Sequence, residues 1–191
     1  IDALKSVEIP DAESRMKNYP FEMSGGMRQR VLIAMAVACG SKLIIADEPT
    51  TALDVTTQAQ IIELLMSLVK KAKTSLVFIT HNLGLVTRYT ERIYVMYAGK
   101  FIESGLTEDV MTKPKHPYTI GLLNSVPKLT GEQEDKLVPI EGFPPNLIDL
   151  PQHCYFLPRC KYATKDCLNK PYPEMRTIGD NQHMFACHNS V

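Results

Sequence analysis

The run Leu43-Ile44-Ile45-Ala46-Asp47-Glu48-Pro49 constrains this chain more than any other segment. Apolar residues of strand type stop abruptly at two carboxylates, and the proline behind them prevents the strand from continuing. A short, wholly apolar strand belongs between covering layers, with its polar tip at the end of a sheet. About a dozen residues earlier stands Met23-Ser24-Gly25-Gly26-Met27-Arg28-Gln29-Arg30, a small-residue loop that opens a helix.

The rest of the N-terminal half fits the same architecture. Pro10 to Tyr19 reads as a short polar helix or loop, and Tyr19-Pro20 breaks it. From Gly26 to about Cys39 the pattern predicts a helix, apolar on nearly every face after Arg30 and so expected to be buried. Gly40-Ser41 ends it. Asp54 is placed to cap a further helix in which Ile61, Leu64, Leu65, Leu68 and Val69 recur at helical spacing. Lys70, Lys71 and Lys73 close that helix and suit its dipole. Ser75 to Thr80 reads as a second buried strand running into His81. Arg92–Tyr97 and Lys100–Ser104, joined at Ala98-Gly99, read as a β-hairpin. Alternating strands and helices predict an α/β domain with a doubly wound parallel sheet.

Beyond Gly105 the composition changes. Ten of the 13 prolines lie at or after Pro114, and four of the five cysteines fall between Cys154 and Cys187. We therefore expect one domain over residues 1–105 and a loop-rich extension over 106–191.

Strand tip and glycine loop suit ATP chemistry. Asp47 is placed to hold a magnesium ion, through water, and Glu48 to polarise an attacking water as general base. Gly25 and Gly26 admit close approach of a phosphate to the backbone, Ser24 offers a hydroxyl, and the helix that follows points its positive end at the same place. Plainer readings stand beside these: a Gly-Gly turn at an ordinary helix start, a carboxylate pair capping a helix, a structural histidine at His81, a capping role for Asp54.

Taken in order, Ser24-Gly25-Gly26, Asp47-Glu48, Ala52-Leu53-Asp54 and His81 resemble the signature loop, Walker B motif, D-loop and switch histidine of ABC ATPases. The resemblance implies a partial P-loop NTPase whose Ser24, Gly25 and Gly26 serve the ATP of a second, head-to-tail ATPase subunit. It makes Asp47 the Mg2+ residue, Glu48 and His81 catalytic, and Asp54 a link between the two ATP sites. Met27 stands where the family pattern often has glutamine, which removes one polar side chain. Lys115-His116-Pro117-Tyr118-Thr119-Ile120-Gly121, Pro139-Ile140-Glu141-Gly142-Phe143-Pro144-Pro145 and Cys154-Tyr155-Phe156-Leu157-Pro158-Arg159-Cys160 are similar to the C-terminal extension of ATPases in dipeptide, oligopeptide and nickel importers, of the D type. That implies a cytoplasmic, membrane-peripheral ATPase working with two permease subunits and, indirectly, an external solute-binding protein. Peptides are the expected cargo, with nickel or a sugar oligomer as the alternative. No Gly-x-x-x-x-Gly-Lys-Ser/Thr phosphate loop occurs, so this stretch is expected to lack the N-terminal half of such a domain and to be inactive alone.

Cys154, Cys160, Cys167 and Cys187 are spaced C-x5-C-x6-C-x19-C. A cytoplasmic setting disfavours disulfides, and no C-x-x-C pair points to a zinc ribbon. Irregularly spaced thiolates are able to ligate a [4Fe–4S] cluster, and some D-type peptide-importer ATPases carry one at this pattern. Zinc and unligated thiols remain the alternatives, with His153, His183 and His188 as substitute ligands. Cys39 is expected to be a small buried residue.

A formal net charge of +0 with 22% charged residues gives no nucleic-acid footprint, and the coiled coils or zinc modules of DNA-repair ABC ATPases are not seen. The longest apolar run, Val31–Cys39, is nine residues, too short to cross a bilayer, and no signal peptide is read. Membrane work is therefore expected of partner subunits. A non-catalytic interaction module is the remaining rival.

Overall fold

The computed structural model describes residues 1–51, 53–126, 138–177 and 182–189, so Ala52 of the Ala52-Leu53-Asp54 run lies outside the described residues. Packing divides the chain into two compact units, Ile1–Leu83 and Gly84–Val191.

In the first unit, α1 (Asp2–Ser6) and α2 (Ala12–Arg15) precede α3 (Gly25–Ala38), β1 (Leu43–Asp47), α4 (Val55–Ala72) and β2 (Ser75–Ile79). Strands β1 and β2 pair in parallel, Leu43 opposite Ser75 through Asp47 opposite Ile79, with α4 as the crossover. Helix α4 behaves as its periodicity predicts: Ile61, Leu64, Leu65, Leu68 and Val69 are all buried and meet Ile44 and Ala46 of β1 in one core with Ile33 and Ala34 of α3.

Three expectations of burial need correction. Helix α3 is apolar but not enclosed: Leu32 and Met35 are 56% and 60% exposed. Cys39, at its end, is also exposed and donates its thiol to Met35 O. The parallel pair is likewise covered on one face only. Ile44 and Ala46 face the core, whereas Leu43, Ile45, Val77 and Ile79 lie 44–63% exposed. Alternation along each strand puts these four on one face, bare among the described residues.

In the second unit, α5 (Leu83–Tyr89) leads into the hairpin β3 (Arg92–Tyr97) and β4 (Lys100–Leu106), as the sequence indicates. Helices α6 (Thr107–Thr112), α7 (Pro117–Asn124) and α8 (Lys165–Asn169) and the short strands β5 (Arg176–Thr177) and β6 (Met184–Phe185) follow. The sheet is antiparallel, in the order β3-β4-β6-β5, so these strands do not extend the parallel pair of a doubly wound sheet. Strand β4 explains why the hairpin packs with the extension: Glu103 and Ser104 pair with Phe185 and Met184 on its far edge. The change of composition near residue 105 thus falls inside β4. Val95, Tyr97, Ile102, Val110 and Phe156 make this unit's core.

Candidate nucleotide site and cysteine cavity

The parallel pair carries its polar residues on its C-terminal tips. Asp47 ends β1 and is exposed, and its carboxylate makes no hydrogen bond or ion pair among the described residues, which leaves it able to take a ligand. At Glu48 the chain turns sharply, with φ 47°. This left-handed backbone is uncommon for glutamate and is stored where the surroundings over-determine it. Here they do. Glu48 N donates to Ile79 O of β2 at 2.9 Å, and Glu48 O accepts from Thr51 N at 3.2 Å.

The side chain is fixed from both sides. Oε2 accepts from Thr51 Oγ1 at 3.1 Å, and Oε1 lies 2.7 Å from His81 Nδ1, just beyond β2. The hydrogen bond from His81, supported by that from Thr51, holds the Glu48 carboxyl below its ordinary range against some opposing desolvation. The carboxylate is 38% exposed and the imidazole 84%, so the pair stands open to an incoming molecule.

Behind Glu48, Gln58 donates from Nε2 to both Thr50 O (3.1 Å) and Leu53 O (3.2 Å), bracing the turn between β1 and α4. Sequence reasoning gave Thr51 and Gln58 no role, because their bonds to Glu48 and to the carbonyls of Thr50 and Leu53 depend on the path of the turn. Asp54 caps α4, accepting from Thr57 N at 2.9 Å and from Thr57 Oγ1 at 2.7 Å, and these bonds lower its pKa. The capping reading thus has its geometry.

Ser24 caps α3 by accepting from Met27 N at 3.2 Å. The two glycines that follow sit against the start of α4. A methyl group on Gly26 would come within 3.0 Å of Thr57 Cγ2, and one on Gly25 within 3.3 Å of Leu53 Cδ2. They serve helix-to-helix approach here, a role that phosphate chemistry alone does not suggest.

In the second unit a small cavity is lined by all four clustered cysteines together with His116 and His188. Burial pushes the thiols of Cys154, Cys160 and Cys187 upward, Cys160 to about 11. Backbone N–H groups pull the other way: those of Phe156 and Leu157 on Cys154, of Tyr162 on Cys160, and of Asn189 on Cys187. Such donors favour sulfur in its charged form. No group of three or more His, Cys, Asp or Glu side chains among the described residues is placed to hold a metal ion. His183, offered by the sequence as a substitute ligand, instead lies with Nε2 2.7 Å from the fully buried Glu103.

The comparisons with known proteins place this fold and order of motifs in the ABC class. Residues 1–51 match the ABC transporter family, and residues 102–167 match the oligopeptide/dipeptide transporter C-terminal region. The chain is 54% identical over 188 residues to the oligopeptide transport ATP-binding protein OppD of Salmonella typhimurium, covering 98% of this chain and 55% of that protein. It is 51% identical over 188 residues to the dipeptide transport ATP-binding protein DppD of Haemophilus influenzae, covering 98% and 56%. A solved ABC transporter, inward-facing and described as of metal-chelate type, matches with TM-score 0.53 and 30% identity over 63% of this chain and 46% of that one. The chain belongs to the family of ABC transporter ATP-binding proteins with an oligopeptide/dipeptide C-terminal region. It spans about half the length of the curated relatives it matches, 55–56% of each of these two. No helix among the described residues is long and apolar enough to cross a membrane.

Proposed function

We propose that this chain forms the signature, Walker B and switch part of an ATPase subunit that energises import of peptides across the cytoplasmic membrane. The observation that carries the reading is the Glu48–His81 contact of 2.7 Å at the tips of β1 and β2, beside the unpartnered carboxylate of Asp47. Mg2+ on Asp47, through water, would neutralise phosphate charge. Glu48 is poised, ionised and exposed, to orient a water and take its proton. His81 positions the Glu48 carboxylate and presents its own exposed ring where a terminal phosphate would sit. Ser24, Gly25 and Gly26 begin a 14-residue helix whose N-terminal amides suit a phosphate held by a second ATPase subunit.

The exposed face of Leu43, Ile45, Val77 and Ile79 supports a place for further domain structure, as does the half-length match to the relatives. That structure would include the phosphate loop absent from this sequence, so the isolated chain is expected to turn over no ATP. The subunit works with a second ATPase, two permease subunits and an external solute-binding protein, and sits at the membrane without entering it. Peptide cargo is supported by the names of the relatives, which are oligopeptide and dipeptide transport proteins.

In the extension, the reading is a [4Fe–4S] cluster on Cys154, Cys160, Cys167 and Cys187, with zinc as the alternative. The shared cavity supports it; the side chains would still have to draw together.

The decisive experiment is ATP turnover by the assembled transporter with Glu48→Gln. A fall of about 10²–10⁴-fold with ATP binding retained is expected. Unchanged turnover removes Glu48 from the chemistry, and Glu48-dependent turnover by the isolated chain removes the need for a further part.

A further inference from the structure

The two oxygens of the Glu48 carboxylate are held from different segments. Oε1 lies 2.7 Å from Nδ1 of His81, just beyond β2, and Oε2 accepts from Thr51 Oγ1 at 3.1 Å in the turn that follows β1. The His81 ring is the largest cause of the lowered Glu48 pKa, Thr51 adds to it, and the His81 backbone N–H contributes least. An ionised carboxylate only accepts, so the Thr51 hydroxyl directs its one proton at Oε2.

A bond on each oxygen does what a bond on one does not. The terminal torsion of a glutamate is broad and roughly two-fold. A carboxylate tied at a single oxygen can therefore swing about its Cγ–Cδ bond, and a bond on the other oxygen limits the swing. Thr51 is well anchored for this task. Its own N–H donates to Glu48 O at 3.2 Å, closing the turn, and Gln58 Nε2 holds the neighbouring Thr50 O at 3.1 Å from within α4. The hydroxyl thus reaches Oε2 from a frame tied to the residue it orients. Access is kept: an ionised carboxylate offers about four lone-pair sites, and this one is 38% exposed.

We infer that Thr51 is a positioning residue for ATP hydrolysis: its hydroxyl fixes the plane of the Glu48 carboxylate, and so the direction in which Glu48 presents a lone pair to the attacking water. The inference rests on the proposed role of Glu48 as the residue that orients that water and takes its proton. A plainer role for Thr51, a local side-chain bond that only steadies the turn, predicts lost stability and no defect confined to the chemical step.

The test is ATP turnover by the assembled transporter carrying Thr51→Val, Thr51→Ser, Glu48→Gln, or Thr51→Val together with Glu48→Gln. ATP affinity and the pH dependence of kcat are measured beside it. Thr51→Val should lower kcat about 10–100-fold, the scale of a misplaced catalytic group, with ATP affinity unchanged. The lost bond is one that lowers the Glu48 pKa, so the acid limb of kcat should move to higher pH. Thr51→Ser keeps the hydroxyl and should restore both. In the Glu48→Gln background Thr51→Val should cost nothing further, since it acts through that carboxylate. Full turnover by Thr51→Val beside a slow Glu48→Gln overturns the role of Thr51 and leaves Glu48 standing. So does a Thr51→Ser variant as slow as Thr51→Val, or a Thr51→Val loss that falls on ATP affinity or folding as much as on kcat. Unchanged turnover in Glu48→Gln removes the underlying reading, and the role of Thr51 with it.

Discussion

His81 Nδ1 lies 2.7 Å from Glu48 Oε1, and Glu48 itself is held in left-handed backbone by β2 and Thr51. The carboxylate proposed to orient a water and the histidine proposed to meet a phosphate are thus joined in one unit. Binding of a phosphate by His81 would have to compete with, or share, the carboxylate it touches.

A pH dependence follows from this contact. The His81 bond is the largest cause of the lowered Glu48 value, which departs downward from an ordinary 4.5. A depressed carboxyl contributes stability that is complete above 4.5 and is lost as pH falls through the lowered value. In His81→Ala the Glu48 carboxyl should titrate at higher pH than in the wild type. Carboxyl ¹³C NMR of Glu48 reads this directly, and coincident titration curves would sink the idea.

The glycines that open α3 make a steric prediction. Gly26→Ala sets a methyl 3.0 Å from Thr57 Cγ2, tighter than carbon atoms usually pack, so Thr57 must give by a few tenths of an ångström. Thr57→Ser removes that methyl and keeps the hydroxyl that bonds Asp54. The double variant should therefore recover part of the loss, with a coupling of about 1 kcal/mol in a double-mutant cycle from denaturant unfolding. Strict additivity would mean that α3 and α4 do not press together here.

Gln58 holds the turn from within α4. Replacing it with methionine retains the volume and removes both donations, to Thr50 O and Leu53 O. A loss of about 1–2 kcal/mol is expected, with faster amide exchange at Leu53. Amide exchange unchanged in this segment would assign the bracing elsewhere.

What the sequence disclosed and what it hid divide along sequence distance. Helix α4 was legible because its apolar period and its Asp54 cap are local signals, and the β3–β4 hairpin because its turn is local too. The contact between Glu48 and His81 was not legible, because it depends on a parallel pairing across α4. The burial expected of α3 and of both faces of β1 and β2 is not met among the described residues, since apolarity records what a segment should pack against and not what is present to cover it. Pairing of β4 with β6 joins residues some 80 positions apart, and no local pattern announces it.

Glu103 shows how such a distant pairing is secured. Its carboxylate is fully buried, accepts from Lys115 N at 2.6 Å and His116 N at 2.9 Å, and faces His183 Nε2 at 2.7 Å. One side chain on β4 therefore ties down the start of α7 and the residue just before β6. Glu103→Gln is nearly isosteric but offers one acceptor atom where two are used, and its NH2 would oppose a backbone N–H. With the amide oxygen kept on Lys115 N and His183, the buried His116 N–H is left facing an NH2, which should cost about 1–3 kcal/mol. Thermal unfolding should show the loss, and limited proteolysis should cut first near residues 115–116 and 183. Equal stability of Glu103→Gln and wild type would mean that the hairpin and the extension are held by their apolar core, with the buried carboxylate adding nothing.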